Sequence, residues 1–129
     1  MRPFACDGIL IENGKILLIK RAADPFKGMW AVPGGRIEDD ETAEACLIRE
    51  MEEETGLKVE PVKLTGIYSD PNRDPRLVIA AAYLVRRISG EPKAGDDAGE
   101  IKWFDLGSLP ELCADHSKIV ADALSQLEK

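Results

Sequence analysis

Arg49, Glu50, Glu53 and Glu54 crowd one ionic stretch, IREMEEETGL, whose spacing suits a helix ended by glycine. On a helical wheel at about 100° per residue with Leu47 as zero, Ala43, Leu47 and Met51 define an apolar side spanning roughly −40° to +40°. Glu54 falls at about −20° and Glu50 at about −60°, on or beside the face that should pack inward, while Glu53 follows at about −120° with Arg49 alongside. A solvated, charged helix face accounts for Glu44 and Glu52 but not for Glu54. An ionised carboxylate on an apolar face is costly unless a cation compensates it, and three converging carboxylates repel one another. Arg49 supplies one positive charge, and a divalent metal is the economical source of the rest. Oxygen-only ligands suit Mg²⁺, with Mn²⁺ as the alternative, rather than zinc.

These residues also belong to a longer pattern. Gly35, Glu41, Arg49, Glu50, Glu53, Glu54 and Gly56, with Met51 and Leu57 at two bulky apolar positions, resemble the G-x5-E-x7-R-E-U-x-E-E-x-G-U box of the Nudix hydrolases. The preceding Gly28-Met29-Trp30-Ala31-Val32-Pro33-Gly34-Gly35 is similar to the G-x-W-x-x-P-G-G lead-in of many members. The resemblance implies metal-dependent cleavage of the pyrophosphate of a nucleoside diphosphate linked to another group. It also implies roles: Glu50, Glu53, Glu54 and the Gly34 carbonyl as metal ligands, Arg49 as the group that orients a glutamate, and Glu41 as support for the loop–helix junction or the metal's outer shell. An extra acid often comes from a late loop, which here offers Asp96, Asp97 and Glu100. Asp97 is the first expectation for an added ligand or base and Glu100 the second, the alternative being a loop that is simply solvated.

The group beyond the diphosphate must be read elsewhere. Tyr68 to Arg76, with Ala94 to Ala98 and Trp103-Phe104, is similar to prokaryotic ADP-ribose pyrophosphatases of the compact type. Arg73 and Arg76 can offer planar forks to phosphate, or can pair with Asp70 and Asp74 as a structural cluster. An adenine needs an aromatic or apolar slot, for which Phe26, Trp30, Tyr68 and Trp103 are candidates; core is the alternative for each and the default for Trp103. His116 reads as a capping or packing residue, although Asp115-His116 recurs in similar ADP-ribose enzymes. The expected products are AMP and ribose 5-phosphate. The competing readings are a nucleoside-triphosphate pyrophosphatase and an ADP-ribose-sensing domain without catalysis, the latter disfavoured by the intact glutamate set. Related ADP-ribose enzymes imply a homodimer.

Several elements must position these groups. Ala5–Ile11 and Lys15–Lys20 are strand-like runs joined through Asn13-Gly14, a hairpin signal. Residues 22–28 form a loop, and Met29–Val32 is a short strand at most. The box helix should start near Asp40 to Thr42, with Asp40 or Thr42 as cap, and end at Gly56. Val59–Tyr68 is β-rich, with Pro61 marking an edge or irregularity. Leu77–Ile88 is the most apolar run and reads as a buried central strand. Glu100–Leu106 is a further strand, Ser108–Leu112 a turn, and His116–Leu127 an amphipathic helix. This order predicts an α+β fold, and the resemblance implies the Nudix-type α/β/α sandwich with a mixed, mostly antiparallel sheet between helices, as a single domain over residues 1–129.

Composition closes off other classes. The chain has 129 residues, 44% hydrophobic and 32% charged, enough for one packed core. A net charge of −7 argues against a general nucleic-acid binder, and no run is long and apolar enough for a membrane span. Cys6, Cys46 and Cys113 are odd in number and widely spaced, the pattern of reduced thiols in a cytoplasmic protein. Asp7 and Gly8 interrupt the first apolar run, so no signal peptide is expected.

Overall fold

A computed structural model describes residues 1–95 and 98–127. The strands are β1 (Phe4–Ile9), β2 (Ile11–Glu12), β3 (Lys15–Arg21), β4 (Trp30–Ala31) and β5 (Gly34–Arg36), then β6 (Lys58–Tyr68), β7 (Ile79–Ser89) and β8 (Ala98–Asp105). The helices are α1 (Ala43–Thr55) and α2 (His116–Leu127). One sheet has the order β5-β1-β7-β6, with β1 and β7 parallel and the other neighbours antiparallel. In the second, β3 pairs antiparallel with β2, β4 and β8. This is the expected α+β sandwich with mixed, mostly antiparallel sheets.

The strand period of two explains why α1 and α2 lie on opposite faces. Along β7, Ala80, Ala82 and Leu84 pack with Ile119, Val120 and Ala123 of α2. The intervening Ala81, Tyr83 and Val85 pack with Cys46, Leu47 and Met51 of α1. With both faces covered, β7 and β1 read as nearly continuous apolar runs rather than alternating ones. Gly8 lies under α1 on the second face: a Cβ there would come within 2.6 Å of the Met51 Sδ and 3.3 Å of a Leu47 methyl.

Local chemistry sets the ends of the box helix. Thr42 is the cap, its Oγ1 accepting from the Ala45 N–H at 3.1 Å. Gly56 stops the helix in the left-handed region at φ 75°, its N–H donating to the Glu52 carbonyl at 2.9 Å. Asn13 and Gly14, both at positive φ, turn the first hairpin.

Elsewhere the boundaries shift. The strand expected from Leu77 begins at Ile79, because Leu77 sits in a turn at φ 63° and donates its N–H to the Asp74 carbonyl. Pro61 lies on edge strand β6, where the register to β7 slips between Pro61 and Lys63. Glu44, expected to be merely solvated, accepts a hydrogen bond from the Tyr83 hydroxyl at 2.8 Å. No helix among the described residues is long and apolar enough to cross a membrane.

Candidate functional site

Glu50 and Glu54 reach one concavity because α1 docks against β5, while Glu53 does not line it. The register of β1 against β5 sets Asp7 opposite Gly34 and Cys6 opposite Gly35. The backbone here is packed so closely that side chains are excluded. A Cβ on Gly35 would overlap the Glu50 carboxylate, and one on Gly34 would overlap the Asp7 carboxylate and the Cys6 carbonyl. Glycine is needed at both positions for this approach. Cys46 adds a contact from the helix, its thiol donating to the Gly35 carbonyl at 3.5 Å.

Arg49 ties the box together. Its Nε and Nη2 reach Glu41 at 2.6 and 2.7 Å, its Nη1 reaches Glu50 at 2.6 Å and Glu53 at 3.2 Å, and Nη2 also donates to the Arg36 carbonyl at 3.0 Å. The bidentate fork holds Glu41 well below the usual carboxylate range, at about 2, and these partners raise the arginine's own pKa. Glu41 Oε1 also accepts from the Glu38 N–H at 2.9 Å, so Glu41 clamps the loop to the helix. Glu50 is pushed upward by burial, against the pull of Arg49. One of its oxygens faces Arg49 and the other faces the Gly35 backbone.

The glutamates differ in environment. The Glu50 side chain is 14% exposed and that of Glu53 is 59% exposed, whereas Glu54 is half-buried. Glu50, Glu54, Gly34 and Gly35 line one concavity, with Arg21, Arg36 and Arg76 around them. The donors are all oxygen, the chemistry a hard divalent cation takes, and the glycine cradle leaves backbone and carboxylate oxygens in contact range. Among the described residues, no group of three or more His, Cys, Asp or Glu is already gathered as a metal set, Arg49 being seated between Glu50 and Glu53.

The substrate candidates separate. Arg76 lines the concavity while paired with Asp74 at 2.7 Å. Arg73 is committed elsewhere: Nε and Nη2 fork onto Asp115 at 2.9 and 2.7 Å, and Nη1 donates to the Val78 carbonyl at 3.0 Å. Its side chain is only 4% exposed. The structural pairing therefore holds for both arginines, with Asp115 rather than Asp70 as the partner of Arg73. Tyr68 is buried and donates its hydroxyl to Asp122 at 2.7 Å. Trp30 packs edge-on against Phe104 with ring centroids 4.8 Å apart, and Phe26 packs against Ile19 and Ala31. None of these three aromatics lines the concavity that holds Glu50 and Glu54. Glu100 is also apart from it: β8 sets it opposite Lys20, to which it pairs at 3.6 Å, with its side chain 62% exposed. Asp96 and Asp97 lie outside the described residues.

Sequence reasoning passed over Arg21 and Asp7. Arg21 ends β3, anchors the following loop through the Pro25 carbonyl at 2.8 Å, and points into the site. Asp7 sits in mid-strand, 7% exposed, and burial pushes its carboxyl up to about 7 despite the Arg73 charge. A charged residue interrupting an apolar strand was the available signal. His116 opens α2 and is half-buried, its Nδ1 accepting from the Val32 N–H at 3.1 Å. That bond assigns the remaining ring proton to Nε2, and burial with the Arg73 charge lowers its pKa to about 4.

Comparison with known proteins agrees with this geometry. The NUDIX domain family matches residues 1–123. A protein named ADP-ribose pyrophosphatase from Methanocaldococcus jannaschii is 52% identical over 119 residues, 92% of this chain and 70% of that one. A MutT/nudix family protein from Enterococcus faecalis superposes with a TM-score of 0.89 at 30% identity, over 98% of this chain and 62% of its own. A bifunctional NMN adenylyltransferase/ADP ribose pyrophosphatase from Francisella tularensis, crystallised with AMP and a Mn ion, gives 0.84 at 31% identity, over 98% of this chain and 42% of its own. With a glutamate helix clamped by Arg49 against the glycines of β5, and a family match along nearly its whole length, the chain belongs to the Nudix family.

Proposed function

We propose that this chain hydrolyses the pyrophosphate bond of ADP-ribose in a divalent-metal-dependent reaction, giving AMP and ribose 5-phosphate. One observation carries the reaction class: Glu50 and Glu54 share a concavity with Gly34 and with three arginines, Arg21, Arg36 and Arg76. Carboxylates suit a cation and guanidiniums suit the diphosphate oxygens, so the two halves of the site match the two halves of a metal–diphosphate complex. The substrate follows the 52% identical relative and the AMP-bearing structural neighbour.

In this reading Glu50, Glu53, Glu54 and the Gly34 carbonyl hold the metal, taken as Mg²⁺ with Mn²⁺ as a substitute. When bound, the ion neutralises phosphate charge and acidifies water. Arg49 sets the rotamers of Glu50 and Glu53, and Glu41 sets that of Arg49. Glu53, 59% exposed and outside the lining of the concavity, is taken as the base for the attacking water from its place in the box pattern, with Asp97 as the other candidate acid. Arg21, Arg36 and Arg76 orient the diphosphate. Three buried, unpaired cysteines support a reducing, cytoplasmic setting. A homodimer is the proposed assembly, supported by Val62, Leu64 and Ile67, exposed by 63%, 46% and 53% on edge strand β6.

One assay tests the function. The protein is incubated with Mg²⁺ and ADP-ribose, ADP-sugars, dinucleotides or nucleoside triphosphates, and the products are identified. AMP with ribose 5-phosphate is the expected result. Pyrophosphate released from a triphosphate in its place, or binding without turnover, overturns the reading.

A further inference from the structure

Beyond Gly34 and Glu54 the concavity continues inward as a cavity of about 90 Å³. It shares Arg21, Arg36, Arg76 and Glu54 with the concavity and adds Asp7, Arg73, Asp74 and His116 to the charged lining. Most of these groups are already engaged: Asp74 with Arg76, Arg73 with Asp115, and His116 Nδ1 with the Val32 N–H. Asp7 is different. It is 93% buried by its 7% exposure, and among the described residues its carboxylate makes no hydrogen bond or ion pair. Its carboxyl opens onto the cavity, where a ligand can supply the donor it lacks.

We propose that Asp7 is a specificity-determining residue whose carboxylate accepts hydrogen bonds from the vicinal 2- and 3-hydroxyls of the substrate's terminal ribose. The inference rests on the ADP-ribose reading and assigns the sugar end of that substrate to this cavity. Size favours the smaller end: a closed cavity that takes up benzene measures about 150 Å³, so 90 Å³ suits the hydroxyl-bearing edge of a pentose better than a purine. A phosphate is a poorer guest than a diol at Asp7, because it brings acceptor oxygens where the carboxyl lacks donors. A sugar diol is the complementary guest: it offers two donors to one carboxylate, the solution that dinucleotide sites use for ribose. Register supplies the connection, since β1 and β5 set Asp7 opposite Gly34, at the boundary between cavity and concavity.

The test measures product binding in Mg²⁺ by calorimetry, using ribose 5-phosphate, 2-deoxyribose 5-phosphate and AMP on wild-type protein and on Asp7→Asn. Wild type should bind ribose 5-phosphate about tenfold or more tightly than its deoxy analogue. Asp7→Asn should weaken ribose 5-phosphate about tenfold and shrink that gap, leaving AMP within about twofold. Equal affinity of wild type for the two sugar phosphates overturns the inference, as does a variant that loses AMP binding instead. The wild-type comparison stands by itself if Asp7→Asn does not fold. Turnover of ADP-ribose is followed in the same preparation. Turnover without sugar discrimination removes the inference and keeps the function; discrimination without turnover does the reverse.

Discussion

Arg49 and Glu41 form the tightest clamp of the site, two parallel bonds of 2.6 and 2.7 Å between a guanidinium and a carboxylate eight residues apart. The pair joins the loop after β5 to the helix that carries the glutamates. Glu41 has no place in the concavity, so its effect on chemistry must pass through Arg49. Glu41→Gln should lower kcat/KM by about 10- to 100-fold, the usual cost of an orienting partner. Titration with Mn²⁺ should show weaker metal dependence in parallel, and unchanged metal dependence counts against this route.

Glu53→Gln and Glu54→Gln should each lower kcat by at least about 10²-fold. Glu53 is 59% exposed and the amide keeps the shape of the half-buried Glu54 carboxylate, so thermal unfolding should move little. Steady-state rates and circular dichroism melting on the same samples check both halves. A variant with wild-type turnover removes that residue from the mechanism.

Arg73 is a structural fork before it is anything else. Removing it leaves Asp115 and the Val78 carbonyl without their partner in a region where Arg73 is 4% exposed. Arg73→Ala should destabilise the fold by about 3 kcal/mol, read as a lower urea midpoint with unchanged slope. Arg76→Ala, at a position 34% exposed and facing the concavity, should raise KM for substrate in addition to the stability lost by stranding Asp74, which is 4% exposed. The reverse pattern exchanges the two roles.

Acid stability turns on His116. Its folded pKa of about 4 lies below the ordinary 6.5, so the folded chain binds this proton more weakly than the unfolded chain does. The stabilisation from a neutral His116 is therefore present above pH about 6.5, erodes as the pH falls, and is gone below about 4. Arg73 and Arg21 strengthen the effect, while Asp115 and Asp74 oppose it. Urea midpoints measured between pH about 7 and about 4.5 should fall in the wild type relative to His116→Gln, because Asp7, raised to about 7 and acting in the opposite sense, is common to both proteins.

The contrast between legible and hidden features follows sequence distance. Thr42, Gly56, Asn13-Gly14 and the inward glutamates were readable because caps, turns and helical periodicity are set within a few residues. Arg73 was ambiguous in the sequence because its partner, Asp115, lies 42 residues away on the approach to α2. Phe26, Trp30 and Tyr68 have the chemistry of an adenine slot, but packing against Ile19, Phe104 and the core beneath α2 claims them. Asp7 and Arg21 gain meaning only from strand pairing and the turn after β3, which composition does not encode.

The break in the first apolar run has a mechanical consequence. Gly8 holds no side chain against Met51 and Leu47, so the height of the glutamate helix above the sheet is fixed by a missing methyl. Adding that methyl by Gly8→Ala would raise the helix or displace a sealed thioether, tilting Glu50 and Glu54 away from Gly34 with no substrate contact touched. Two adjacent residues of one strand thus divide the alignment of the active centre, Asp7 facing its floor and Gly8 acting as the spacer that levels its roof.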